Sequence, residues 1–205
     1  MKIRPSNTMK PILFNTEMVR AILDDRKTVT RRVVKKSTVD KFVLSQDGRL
    51  LGNFNADCPE WGTYPTIDDA PYCPGDILYV RETWCQPAAH TFWYKADSPV
   101  QNVLWRPSIH MPREAARIFL RVTDVRVERL QDISPSQCVA EGADDGTAFR
   151  EIGGEFVRGM FNDLWNSTIK PADCAIYGWD ANPWVWVIEF ERISREEAEH
   201  EQNKN

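Results

Sequence analysis

Cysteine is scarce and badly placed for its usual structural roles. The 205-residue chain has Cys58, Cys73, Cys85, Cys138 and Cys174, an odd number with no CxxC pair. Neither a disulfide framework nor a paired-cysteine zinc site follows, and reduced thiols are expected. Histidine is scarcer still: His90, His110 and His200 show no HxH or HxxxH spacing, so no metal and no cofactor is expected. The phosphate-cradling GxxxxGK loop and the dinucleotide fingerprint GxGxxG are both missing, as is any internal repeat. No run approaches the roughly 18 apolar residues of a membrane span, and the first residues lack the apolar core of a signal peptide. A cytoplasmic protein without membrane contact is expected. The formal net charge is −4, which excludes tight nonspecific coating of DNA, a mode that relies on many phosphate contacts. From Glu189 to Asn205, however, six carboxylates face three basic residues, a local net of −3, leaving about −1 for everything before. A nucleic-acid partner is therefore not excluded.

What is present stands out against that acidity. Arg26 to Lys36 holds six basic side chains and two threonines without a carboxylate. Ahead of it, Met18, Val19, Ile22 and Leu23 recur at helical spacing, and Asp24 and Asp25 can close such a helix because short polar side chains tolerate the left-handed conformation. Lys27 then emerges at a helix end. Behind it, Thr28, Thr30 and Arg32 share one face of an extended segment and Val29 and Arg31 the other. A hydroxyl beside a guanidinium suits an anion, a nucleobase edge or a developing oxyanion; a solvated basic turn has the same composition.

The rest of the chain reads as short strands with a few helices between them. Gln46-Asp47-Gly48 separates Phe42–Leu44 from Leu50–Leu51, a hairpin pattern. Cys73-Pro74-Gly75-Asp76 is a turn leading into a strand over Ile77 to Trp84, on which Glu82 continues an apolar face with Trp84. A carboxylate there needs a partner, either an arginine or a ligand. Trp105 to Pro112 is an irregular aromatic loop. Ala116 to Arg129 reads as a strand pair or one long bent strand. Ser134-Pro135 is an N-cap with proline at the first helical position, opening a helix that ends near Glu141-Gly142. Glu155 to Trp165 is amphipathic, and Pro183 to Phe190 alternates cleanly as a strand. The segment 194–205 is expected to be a frayed helix or a disordered charged tail. These elements predict an α+β, mainly β, single domain over 1–193, its mostly antiparallel sheet closing into a small barrel with two to three helices.

In chain order, Lys27–Arg32, Gly75–Trp84, Trp105–Ile118 and Asn182–Phe190 resemble phrases of the ASCH domain, a PUA-like β-barrel, and of its larger phage and prophage branch in particular. The resemblance covers most of the chain. It implies a partner among RNAs or modified nucleosides, with insertions near 37–71, 85–112 and 143–180 relative to the small members. One small branch consists of amidohydrolases acting on N4-acetylcytidine; by that likeness Lys27, Thr30 and Glu141 would be catalytic, with Arg32 matching an arginine just after the threonine. A base is needed because a threonine hydroxyl is a poor nucleophile, and a lysine serves if burial and nearby cations lower its pKa. Glu141 would orient the lysine or shuttle a proton; an ion pair between a helix-terminal carboxylate and the basic stretch fits the same residues. Arg31, Arg32, Glu82, Trp84, Trp105 and His110 are the candidate substrate contacts, with core or rim packing the alternative for the tryptophans. A noncatalytic RNA-binding or nucleotide-binding module is the alternative function, and Ser108 with His110 forms no evident triad.

Overall fold

The computed structural model describes residues 8–46, 48, 50–53, 70–97 and 102–204. Cys58 and the stretch 54–69 of the first expected insertion lie outside them. In chain order the elements are β1 (Lys10–Leu13), α1 (Thr16–Leu23), β2 (Val29–Val33), α2 (Lys36–Val39), β3 (Phe42–Leu44), β4 (Leu50–Asn53), β5 (Ile77–Arg81), β6 (Trp84–Ala88), β7 (Thr91–Tyr94), β8 (Phe119–Arg129), α3 (Pro135–Ala140), α4 (Thr147–Glu151), α5 (Gly154–Thr168), α6 (Cys174–Tyr177), β9 (Trp184–Ile193) and α7 (Arg195–Lys204).

Five strands form one sheet in the order β1-β5-β8-β9-β2, and β3-β4 and β6-β7 are separate two-stranded ribbons. Only the β1–β5 pairing is parallel; β5–β8, β8–β9 and β9–β2 are antiparallel. The expected small barrel is not seen: among the described residues β1 and β2 are the two edges of an open sheet. The mixed α and β content stands.

Strand β9 shows why the sheet is buried on both sides. Its alternation puts Trp184, Trp186, Ile188 and Phe190 into one core with Val19, Ile22, Leu78 and Leu120. Val185 and Val187 enter a second core with Cys138, Val157, Phe161 and Trp165, where α3 and α5 pack. Long β8 takes a bulge between Val122 and Asp124, which bends it. The expected strand over 77–84 breaks at Glu82 and Thr83, so Trp84 starts β6 in a different ribbon. Of the two alternatives for the 194–205 tail the helix is the one found, docked rather than frayed. Arg195–Lys204 is a helix, Ala198 is buried against Met9, Met111 and Phe119, and Glu201 pairs with Arg121.

Candidate functional site

Three local devices converge on the basic stretch. Helix α1 is capped by Asn15, whose side chain accepts from the Met18 amide, and it ends at Asp25 in the left-handed conformation (φ 56°). That reversal lets the amides of Arg26 and Lys27 both donate to the Ala21 carbonyl, turning Lys27 inward. Helix α3 opens with a capping box between Ser134 and Gln137. It closes at Gly142, whose φ of +83° favours glycine and whose Cβ, if present, would sit 2.9 Å from the Ala21 Cβ. The two helix ends thereby meet, and the Thr28 amide donates to the Ala140 carbonyl at 2.9 Å.

At this junction Glu141 lies between two cations. Lys27 Nζ donates to Glu141 Oε2 at 2.7 Å, to the Glu141 carbonyl at 2.8 Å and to the Val29 carbonyl at 2.7 Å. Arg31 Nη1 donates to Glu141 Oε1 at 3.0 Å, and its Nη2 reaches Glu128 Oε2 at 3.3 Å and Gln137 Oε1 at 3.2 Å. The side chains of Lys27 and Arg31 are wholly buried and that of Glu141 is 4% exposed. Burial pulls the Lys27 pKa down from its ordinary value, against the upward pull of Glu141. Arg32 Nη1 donates to Thr30 Oγ1 at 2.8 Å and to the Arg31 carbonyl at 3.0 Å, while Nη2 donates to the Leu13 carbonyl at 3.1 Å across the sheet's open seam. Its guanidinium lies over the Phe14 ring, 5.3 Å from the centroid. Burial also lowers the Arg32 pKa, with Glu141 opposing.

A cavity of about 340 Å³ opens on this cluster. Thr30, Arg31, Arg32 and Glu141 give it a polar end; Met18 from α1 and Phe161, Leu164 and Trp165 from α5 give it an apolar one. Lys27 is not among its lining residues. Helix α5 lies inside the 143–180 segment, so that segment supplies a wall of the cavity.

The remaining candidates lie elsewhere. Glu82 is buried and accepts from Arg117 Nε at 2.8 Å and Nη2 at 3.0 Å, the arginine partner its position on an apolar face called for; burial raises its pKa, against Arg117. Trp84 is buried beside Phe92 with Arg106 over its ring. Trp105 is half-buried and His110 exposed, in a segment held to β6 by the Trp84–Arg106 bridge. None of the four lines the Thr30 cavity. Cys138 is packed in the second core, where burial pushes its thiol up to about 11.

Two contributors escaped the sequence reading. Gln137 does double service, accepting from the Ser134 amide and from Arg31; the S-x-x-Q spacing of the capping box was its signal. The cavity-facing residues of α5 carried only the signal of an amphipathic helix. Among the described residues no group of acidic, histidine or cysteine side chains is arranged to hold a metal, and no helix is long and apolar enough to cross a membrane.

No family model and no curated protein matches the chain. Among solved structures, the crystal structure of an Enterococcus faecalis V583 protein of family DUF984 is similar over 91% of this chain and 82% of its own, at 10% identity and a TM-score of 0.44. A likeness of that size carries no argument about fold or function.

Proposed function

We propose that the chain is an ASCH-type, nucleobase-directed protein whose cavity takes a cytidine acylated on its exocyclic nitrogen, or a related modified nucleoside, and cleaves the amide. The observation that carries this reading is the meeting of Thr30, Arg32 and Glu141 on one wall of a partly apolar cavity. In the reaction Thr30 Oγ1 bonds to the acyl carbon while its proton passes to Lys27 Nζ, an amine that must first give up its own proton, a loss that burial eases and Glu141 opposes. The carbon–nitrogen bond then breaks, the leaving amine takes that proton, and water hydrolyses the acyl-threonine ester to free acid and threonine. Arg32, already bonded to Thr30 Oγ1, is placed to steady the oxyanion, and Glu141 holds Lys27 and Arg31 in register.

One observation favours a second reading. An ammonium has three donors, and all three on Lys27 have acceptors within 2.8 Å. That is the environment of a charged, structural lysine, and it suits a noncatalytic module that binds RNA or a modified nucleoside in the same cavity.

Chromatography of N4-acetylcytidine incubated with purified protein separates the two. The hydrolytic reading expects conversion to cytidine, abolished by Thr30→Ala with nucleoside binding retained. Absence of turnover in a folded wild-type protein, with binding weakened by Arg32→Ala, would overturn hydrolysis and leave the binding module.

A further inference from the structure

The segment from Trp84 to Arg113 supplies nothing to the Thr30 cavity. It is basic in an acidic chain: Lys95, Arg106 and Arg113 stand against one carboxylate, Asp97, to which Arg117 Nη2 donates at 3.1 Å. Three extended stretches lie side by side here. In the β6–β7 ribbon Trp84 pairs with Tyr94 and Cys85 with Trp93. On the other side of β6 the Arg106 amide donates to the Trp84 carbonyl at 2.7 Å, and the Trp84 amide to the Arg106 carbonyl at 3.2 Å.

Pleating sorts these residues onto two faces. Trp84, Tyr94 and Arg106 share the inner one, where Trp84 packs with Met9, Met111 and Phe119 and the Arg106 guanidinium lies 5.2 Å from its ring centroid. One residue along, Cys85, Trp93 and Trp105 come to the other face, with Cys85 between the two tryptophans. Two strand spacings, about 10 Å, separate those tryptophans. Trp93 is 43% exposed and Trp105 half-buried. Trp84, Trp165, Trp179 and Trp184 each pack against another ring; among the described residues neither Trp93 nor Trp105 does. The Lys95 amide donates to the Thr83 carbonyl at 3.0 Å, which continues the ladder and sets Lys95, an exposed residue, on the same face as Trp93. The surroundings are fixed. Arg81 Nε donates to the Met111 carbonyl at 2.8 Å and its Nη2 to the Ile109 carbonyl, while Tyr94 Oη donates to the Ala115 carbonyl at 2.7 Å.

We propose that this face docks single-stranded RNA, with bases stacking on Trp93 and Trp105 and a phosphate drawn to Lys95. Unpaired bases need an open aromatic face, and their phosphates need nearby positive charge; a preformed surface offers both without an ordering cost. The choice of RNA rests on the nucleobase-directed reading of the chain, and adds to it that the partner is a strand held outside the Thr30 cavity.

Fluorescence anisotropy of a short labelled RNA of mixed sequence, free of modified bases and at low salt, tests it. The variants are Trp93→Ala, Trp93→Leu and Lys95→Ala, each checked for unchanged melting; leucine keeps an apolar side chain on the ribbon and removes only the stacking surface. Both Trp93 variants should bind roughly tenfold more weakly, the order of one lost base–aromatic stack. Lys95→Ala should lower the salt slope by about 0.7, the contribution of one phosphate on a single strand. Pairing the RNA into a duplex should abolish most of the binding, because paired bases cannot reach the rings. Wild-type affinity in Trp93→Leu, or equal binding of the duplex, would overturn the stacking surface, as would a folded wild type that binds no RNA. DNA of the same sequence binding tighter than RNA would overturn RNA as the partner. Excess N4-acetylcytidine should leave the strand bound; displacement would put the RNA in the Thr30 cavity and overturn this surface while the nucleobase reading stands. RNA binding that needs Trp93, with no binding of the nucleoside, would instead sink the nucleobase reading of the cavity and keep the surface.

Discussion

Replacing Glu141 by glutamine keeps the size of the side chain and removes the negative charge shared by Lys27 and Arg31. Both contacts are short, 2.7 and 3.0 Å, and all three side chains are at most 4% exposed. After the change one of those contacts faces an amide NH₂, a donor against a donor, and two buried cations share at most one neutral acceptor from this side chain. Arg31 retains Glu128, which is 23% exposed, but Lys27 keeps only two backbone carbonyls. Breaking a buried ion pair by removing one partner typically costs about 3–5 kcal/mol. At roughly 2–4 °C per kcal/mol for a chain of this size, the melting temperature should fall by about 6–20 °C. Thermal and urea unfolding followed by circular dichroism measures it, with Lys36→Ala as control. The Lys36–Asp40 pair is solvent-exposed, so its loss should stay within roughly 0.5 kcal/mol. A Glu141→Gln loss below about 1 kcal/mol would refute the reasoning, because the cations would then have to be solvated.

Two further outcomes follow from the same junction. Gly142→Ala puts a side chain at φ +83° with its Cβ 2.9 Å from Ala21; left-handed backbone alone costs about 1–2 kcal/mol, so a loss of at least that size in urea unfolding is expected, together with weaker ligand binding as α1 and α3 are pushed apart. Lys27→Met isolates one titration. The folded protein holds the Lys27 proton less tightly than the unfolded chain does, so between the lowered folded pKa and the ordinary 10.5 the unfolded state binds more protons and stability rises with pH. Wild-type stability relative to the variant should therefore climb as alkaline pH approaches that value, measured by unfolding at a series of pH values; a flat difference would mean that Lys27 stays fully charged in the fold.

The elements that were legible in the sequence are those whose signal is local. The Asp24-Asp25 stop of α1, the Ser134-Pro135 start of α3, the β3–β4 hairpin and the alternation of β9 all depend on neighbours a few residues apart, and each is found in its expected place. Thr30 and Arg32 do share a strand face, and Arg32 bonds the hydroxyl. What was not legible depends on distant partners. That Lys27 stands at a helix end was readable; that the meeting of the two helix ends at Gly142 and Ala21 buries it was not. Glu82 was joined by pattern to Trp84, but the chain turns between them to reach Arg117. The α7 helix presents mostly charge, and the contacts that dock it, Ala198 in the Met9–Met111–Phe119 cluster, Glu201 with Arg121, Arg195 on the Ala116 carbonyl and Gln202 with Arg113, are all with distant residues and leave no signal in composition. The barrel failed for a similar reason: β2, β5, β8 and β9 were readable as extended segments and β1 and β7 were not, and whether β1 meets β2 is a property of the assembled sheet.

That open seam bears on self-association. An edge strand exposes backbone groups that can recruit a strand from another molecule. On β1 the Pro11 and Leu13 carbonyls, two residues apart and so facing the same way, are already bonded by Tyr72 Oη and Arg32 Nη2, and Pro11 has no N–H to offer. Arg32 and Tyr72 thus shield the sheet margin. Substituting Arg32 removes a proposed ligand contact and uncovers that margin in one step, so any loss of binding in such a variant has to be compared with its molecular mass in solution before it is assigned to the ligand.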